Sequence, residues 1–151
     1  MTGNSDNTIS ATGAIRKRFY AMRNGMIADT LRKGGLEQKY IFGLQLPQIK
    51  DIATEFRPAD DTDAASLARE LQTDRNCREA RLLAFHLMPP SEMTKEEALR
   101  WAADVATREE ADILAFRLLR SIPEAADIAD TLSASESALM QYTATAIRRF
   151  L

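Results

Sequence analysis

Histidine and cysteine are nearly absent from this 151-residue chain, which holds one of each, His86 and Cys77. A lone cysteine excludes an internal disulfide, and without a Cys/His cluster a zinc site has no ligand set. Tryptophan occurs once, as Trp101. Long apolar runs are missing too. None reaches the ~18 residues that a bilayer-spanning helix needs, and no secretory signal pattern opens the chain. Strict apolar–polar alternation is missing as well, so no strand is predicted. A strong net charge is also lacking, at −2. The expectation is a soluble cytoplasmic all-α protein with no cofactor and no membrane contact.

What is there is a repeat. The stretch T-R-E-E-A-D-I-L-A-F-R-L-L-R (Thr107–Arg120) reads as a helix that Thr107 caps, with Glu110 completing a capping box. Shifted by 31 positions, N-C-R-E-A-R-L-L-A-F-H-L-M (Asn76–Met88) matches it. Glu79 meets Glu110, Ala80 meets Ala111, Leu83 meets Leu114, Ala84 meets Ala115, Phe85 meets Phe116 and Leu87 meets Leu118. Asn76 with Glu79 repeats the start signal. A further step reaches Ala138–Phe150, where Gln141, Ala146 and Arg148 keep the pattern. Units of this length bury their faces against each other, and about two helices fit in each, so the repeat is a helical hairpin.

Along the chain, residues 1–9 are small and polar and are expected to fray, leaving 10–151 as one helical-repeat domain. A helix is predicted from Ser10 to Lys33, ended by Gly34-Gly35. A loop through Gly43 follows, then helices over 47–57, 61–73, 76–88, 94–106, 107–120, 121–132 and 135–151. Pro47, Asp60/Asp61, Thr94 with Glu97, Pro123, and Ser133 with Glu136 mark their starts. The expected pairs are 47–57 with the N-terminal helix, 61–73 with 76–88, 94–106 with 107–120, and 123–132 with 135–151. Cys77 is placed on an apolar face as a small buried hydrophobe, Trp101 in the core, and His86 as a half-buried helix residue.

The runs Y-I-F-G-L-Q-L-P-Q-I-K-D-I-A (Tyr40–Ala53), L-A-R-E-L (Leu67–Leu71) and R-E-A-R-L-L-A (Arg78–Ala84) resemble the DNA alkylation repair glycosylases built from HEAT-like repeats, the AlkD-like group. The resemblance covers roughly Phe19 to Phe150. It implies a right-handed HEAT-like superhelix of antiparallel helix pairs, double-stranded alkylated DNA as partner, and excision of cationic alkylpurines. It implies a site of a tryptophan, an aspartate four residues later, an arginine on a following helix, and a second tryptophan further on. Carried over, the aspartate is Asp112 and the arginine is Arg148 or Arg149. The first tryptophan position holds Arg108, a like charge to the cationic base that an indole face would attract. The second position would lie beyond Leu151.

Asp112 falls at the edge of an apolar face, almost under Phe116 and Leu119, where a carboxylate needs a partner. It is either catalytic, paired with Arg81 or Arg148, or set against the helix dipole. Arg117, Arg120, Arg148 and Arg149, extended by Arg78 and Arg81, form a candidate phosphate-binding row, and Arg108 is a further DNA-binding candidate. The alternative for these arginines is dipole complementarity and solvated ion pairs. Lys39 and Tyr40, in the loop before Pro47, are candidates for a backbone phosphate. Residues 1–57 carry nine Lys/Arg against five Asp/Glu, net +4, and the remainder 11 against 17, net −6. A basic N-terminal part attracts phosphates. Against the DNA reading stands a second one, a non-catalytic helical-repeat scaffold for a protein partner, favoured by Arg108 and the mild negative charge.

Overall fold

A computed structural model describes residues 3–151, with side chains from residue 11 onward. Residues 1 and 2 and the side chains of residues 3–10, where fraying was expected over 1–9, lie outside the described residues; the backbone from Gly3 is the start of a helix. Among the described residues there are nine α-helices, two 3₁₀ turns and no strand. A lone bridge joins Tyr40 and Cys77. The all-α expectation is met. The chain forms two compact units, one ending at Leu87 and the other spanning Met88–Leu151.

The first unit holds α1 (Gly3–Met22), α2 (Gly25–Lys33), α3 (Leu46–Phe56), α4 (Asp61–Gln72) and α5 (Arg78–Leu87). The single helix expected from Ser10 to Lys33 is broken at Arg23-Asn24. Asn24 is extended and caps α2, its side chain accepting from the Ile27 N–H. Its own N–H donates to the Phe42 carbonyl at 2.7 Å. A residue that can cap locally competes with helix continuation, and here a tertiary hydrogen bond decides the contest. The remaining starts are as expected. Asp60 caps α4, and Pro47 lies in the first turn of α3 behind a Gln45–Gln48 capping box.

The loop between α2 and α3 is held by α5. Glu79 is completely buried. Its two carboxylate oxygens accept from the Phe42 and Gly43 N–H groups, each at 3.0 Å. Arg78, also buried, donates from Nη1 to Glu79 at 2.6 Å and to the Leu44 carbonyl at 3.0 Å. The Tyr40 N–H donates to the Asn76 carbonyl, and the Arg78 N–H to the Tyr40 carbonyl. Gly43 has φ +82°, and a Cβ there would sit 2.2 Å from the Asn24 carbonyl oxygen. Only glycine combines that backbone with that closeness.

The second unit holds a 3₁₀ turn (Pro90–Glu92), α6 (Lys95–Ala103), α7 (Arg108–Arg117), a 3₁₀ turn (Leu119–Ser121), α8 (Ala125–Ser133) and α9 (Ala138–Arg148). Thr94 caps α6, accepting from the Glu97 N–H. Three boundaries differ from expectation. The helix expected over 107–120 ends at Arg117, and a 3₁₀ turn follows. Ile122 is extended (ψ 137°) ahead of Pro123, as a residue before proline tends to be, so α8 starts only at Ala125. Ser137, not Ser133, caps α9, while Ser133 closes α8.

Pairing follows the sequence for α4 with α5 and α8 with α9, while α3 touches α1 but packs mainly on α5. The main neighbours of α6, however, are α8 and α9 rather than α7. The repeat is visible in burial. Ala80 and Ala111, Leu83 and Leu114, Ala84 and Ala115, and Leu87 and Leu118 are all core. Glu79 and Glu110 are both buried, and Cys77 is buried as expected.

Glu79→Gln removes an acceptor and the counter-charge of buried Arg78. It is expected to lower the unfolding free energy by about 3 kcal/mol, read from the urea midpoint at unchanged slope. Gly43→Ala should destabilise as well, through backbone strain and the clash with Asn24. A midpoint equal to wild type for either variant would refute this account of the loop. Burial pushes the Cys77 thiol from its usual 9.0 up to about 11. The unfolded thiol loses its proton first, so between pH 9 and pH 11 this group removes stability as pH rises. Cys77→Ala should therefore lose less stability than wild type across that window; identical declines would count against it.

Candidate nucleic-acid interface of the second unit

Asp112 lies in the second turn of α7, between buried Ala111 and half-buried Ile113. Its carboxylate is half-buried and accepts from the Tyr142 hydroxyl of α9, at 2.9 Å to Oδ1 and 3.1 Å to Oδ2. The Arg108 guanidinium, one turn earlier on α7, sits 4.9 Å from the centre of the Tyr142 ring. Thr107 accepts from the Glu110 N–H as expected. The Glu110 carboxylate reaches back one residue further than a capping box requires, to the Ala106 N–H at 3.0 Å. This cap fixes the first turn and hence the directions of Arg108 and Asp112.

Further along α7 the apolar face parts from its twin in α5. Phe85 is core, but Phe116 is 38% exposed. The expectation that Phe116 faces inward is corrected. The α-helix stops one residue later, and Leu118 and Leu119 fill the core through the 3₁₀ turn instead. Phe116 packs edge-on against Phe150 at 5.2 Å. Arg120 lies over both rings, 4.3 Å from Phe116 and 5.1 Å from Phe150. Its Nε also donates to the Phe116 carbonyl at 2.7 Å, the helix-end role that competed with phosphate binding in the sequence reading.

Arg108, Asp112 and Phe116 thus stand four apart on one edge of α7, with Arg120 following from the 3₁₀ turn, and they meet Tyr142 of α9 and Phe150 just after it. A cation, a carboxylate, an aromatic ring and a second cation follow one another. Rings interleaved with guanidinium groups offer stacking faces for bases and charge for phosphates.

The other candidates are placed as follows. Arg148 donates to Asp130 and to Ser133, each at 2.6 Å, on α8. The structure therefore does not engage Arg148 with Asp112. Arg149 is exposed and caps α9. Seven residues after Tyr142, at about 100° per residue, it lies on nearly the same side of the helix. Arg117 is exposed, nine residues after Arg108 and so on roughly the opposite side of α7, with its guanidinium 5.4 Å from the Phe116 ring. Arg78 and Arg81 are interior residues of α5, only 4% and 2% exposed. Lys39 and Tyr40 are exposed in the first unit, with the Lys39 ammonium 5.3 Å from the Tyr40 ring.

Sequence reasoning missed Tyr142, Phe150 and the outward turn of Phe116. The four-residue spacing from Arg108 to Arg120 was an available signal for one edge of the site. No local pattern identified Tyr142, because its role exists only across α7 and α9.

A family model described as DNA alkylation repair enzyme matches residues 15–148. The chain belongs to the DNA alkylation repair enzyme family. No curated protein and no solved structure gives a significant match. Among the described residues no helix is long and apolar enough to cross a membrane.

Tyr142→Phe deletes the hydroxyl that holds Asp112 and keeps the ring under Arg108. It should destabilise the fold by about 1 kcal/mol, as loss of a partly exposed hydrogen bond to a charged group does. Equilibrium unfolding measures it; a loss above about 3 kcal/mol would mean that Tyr142 does more than bond Asp112.

Proposed function

We propose that the protein binds double-stranded DNA through the α7–α9 face and excises purines that alkylation has made cationic. The observation that carries this reading is the half-buried Asp112 carboxylate, oriented by Tyr142, with Arg108 on the Tyr142 ring and Arg120 on the Phe116 ring one turn further on. It is supported by membership of the family.

The chemistry asks for little more than a placed carboxylate. As the bond between sugar C1′ and base nitrogen breaks, its electron pair leaves with the base. That pair neutralises the positive charge the base carried, so no acid is needed to protonate the leaving group. Positive charge grows on the deoxyribose instead, where Asp112 stabilises it. Water then adds to C1′, and its proton passes to the carboxylate or to solvent. The Tyr142 hydroxyl holds the carboxylate in one orientation through this change.

The cations proposed to meet phosphates are the exposed ones, Arg108, Arg117, Arg120 and Arg149. The buried pair Arg78 and Arg81 is assigned to the interior of the first unit. One observation favours a second reading, DNA binding without excision. The Arg108 guanidinium already covers the Tyr142 ring, the aromatic face beside Asp112 that a cationic base would seek.

Asp112→Asn, incubated with duplex carrying N7- or N3-alkylpurine, separates the readings. Under the glycosylase reading base release falls by at least about 10²-fold while duplex affinity is kept. Absence of release by wild type, with binding retained, would leave the second reading. Absence of any salt-sensitive duplex binding would remove both and favour the protein-scaffold alternative.

A further inference from the structure

The first unit carries a second feature, distinct from the α7–α9 face. A groove of about 620 Å³ opens between the end of α1, the start of α2 and the loop leading to Phe42. Arg23, Arg32 and Lys39 line it together with Tyr20 and Tyr40, and among the described residues no carboxylate does. Each cation is held by something neutral. Arg23 donates from Nη1 to the Tyr20 carbonyl at 2.7 Å. Arg32 donates to the Gln38 and Lys39 carbonyls, both at 2.9 Å. The Lys39 ammonium rests against the Tyr40 ring.

Carbonyl oxygens and rings orient a cation without cancelling its charge. Three positive charges therefore share one mouth, with their directions already fixed. Surface cations are ordinarily scattered among acids, and their fields then cancel within about a Debye length. Within this mouth no lining carboxylate among the described residues offsets them, and the N-terminal end of α2 adds to them in sign. Gly25 opens that end, and the space beside its Cα is empty. Tyr20 and Tyr40 are 52% and 36% exposed, so aromatic surface borders the charge.

We propose that this groove binds the phosphodiester backbone of a nucleic-acid strand, with Arg23, Arg32 and Lys39 on phosphates and Tyr20 and Tyr40 against sugar or base. Arg32 positions the loop through residues 38 and 39 as well as contributing charge. Arg23 and Lys39 are free of that structural duty, and their charges are the part to be tested. The inference rests on the nucleic-acid reading above and adds to it a second contact made by the other unit.

The test compares wild type with the double variant Arg23→Gln/Lys39→Gln, using a fluorescein-labelled unmodified duplex across a salt series. Loss of two phosphate contacts should weaken binding about tenfold and flatten the slope of log K against log salt by about 1.8. Lys39→Arg keeps the charge and should bind as wild type does. Equal affinity and slope for wild type and the double variant would overturn the groove while leaving the DNA reading intact. Failure of wild type to bind duplex would overturn both. A parallel titration with inorganic phosphate distinguishes the anion's source. Wild type stabilised by phosphate, without duplex binding, would mean a small-anion site and would overturn the nucleic-acid assignment. Both substituted side chains are exposed, and matching thermal unfolding of the variants checks that the fold is unchanged.

Discussion

Glu79 has no exposed surface, and both of its carboxylate oxygens accept backbone N–H groups from a loop more than 30 residues away in sequence. An ionised carboxylate in a protein interior is tolerated only when its acceptor sites are filled and its charge is met. The Phe42 and Gly43 amides and the Arg78 guanidinium do both. The consequences run outward from there. With the loop drawn onto α5, Phe42 accepts the Asn24 N–H, and the N-terminal helix is split into α1 and α2. The split creates the start of α2, the turn of Arg23 and the groove beside Lys39. A glycine is required at 43 because the loop passes against the first turn of α2.

The matching carboxylate of the next repeat is used differently. Glu110 is buried as Glu79 is, but it reaches the Ala106 N–H at the start of its own helix. A long-range tie in one unit becomes a local cap in the other. The difference continues down the helix. In α5 the phenylalanine of the repeat is core; in α7 Phe116, one residue before the helix end, is exposed and meets Phe150 and Arg120. Divergence from the repeat therefore coincides with the surface that carries the candidate chemistry. Local rules that fail at one point of an otherwise regular pattern often mark such a surface.

Within that surface, Asp112 and Tyr142 form a pair in which a hydroxyl orients a carboxylate, and Arg108 and Tyr142 form a pair in which a guanidinium occupies a ring. The first arrangement favours stabilising a developing cation. The second puts a permanent cation on the aromatic face beside it. Under the proposed function, the outcome turns on which cation the ring accepts when DNA is bound. The separation of Arg148 from this pair, by its bonds to Asp130 and Ser133, leaves Arg149 as the arginine on the same side of α9 as Tyr142.

The amino-acid sequence by itself determined the all-α class, most helix starts, the repeat and the family. These depend on local capping, proline placement and apolar spacing, which act within a few residues. It also singled out Asp112, because a carboxylate at the edge of an apolar stripe is conspicuous in one helix. Only the tertiary structure decided that Arg78 and Arg81 are interior, that Phe116 is not, and that Tyr142 is the partner of Asp112. For Arg78, Phe116 and Asp112 the deciding contact joins residues 30 or more apart, to Leu44, Phe150 and Tyr142. No helical periodicity encodes such a contact, because it depends on how separate helices and a loop pack rather than on the propensity of any one of them.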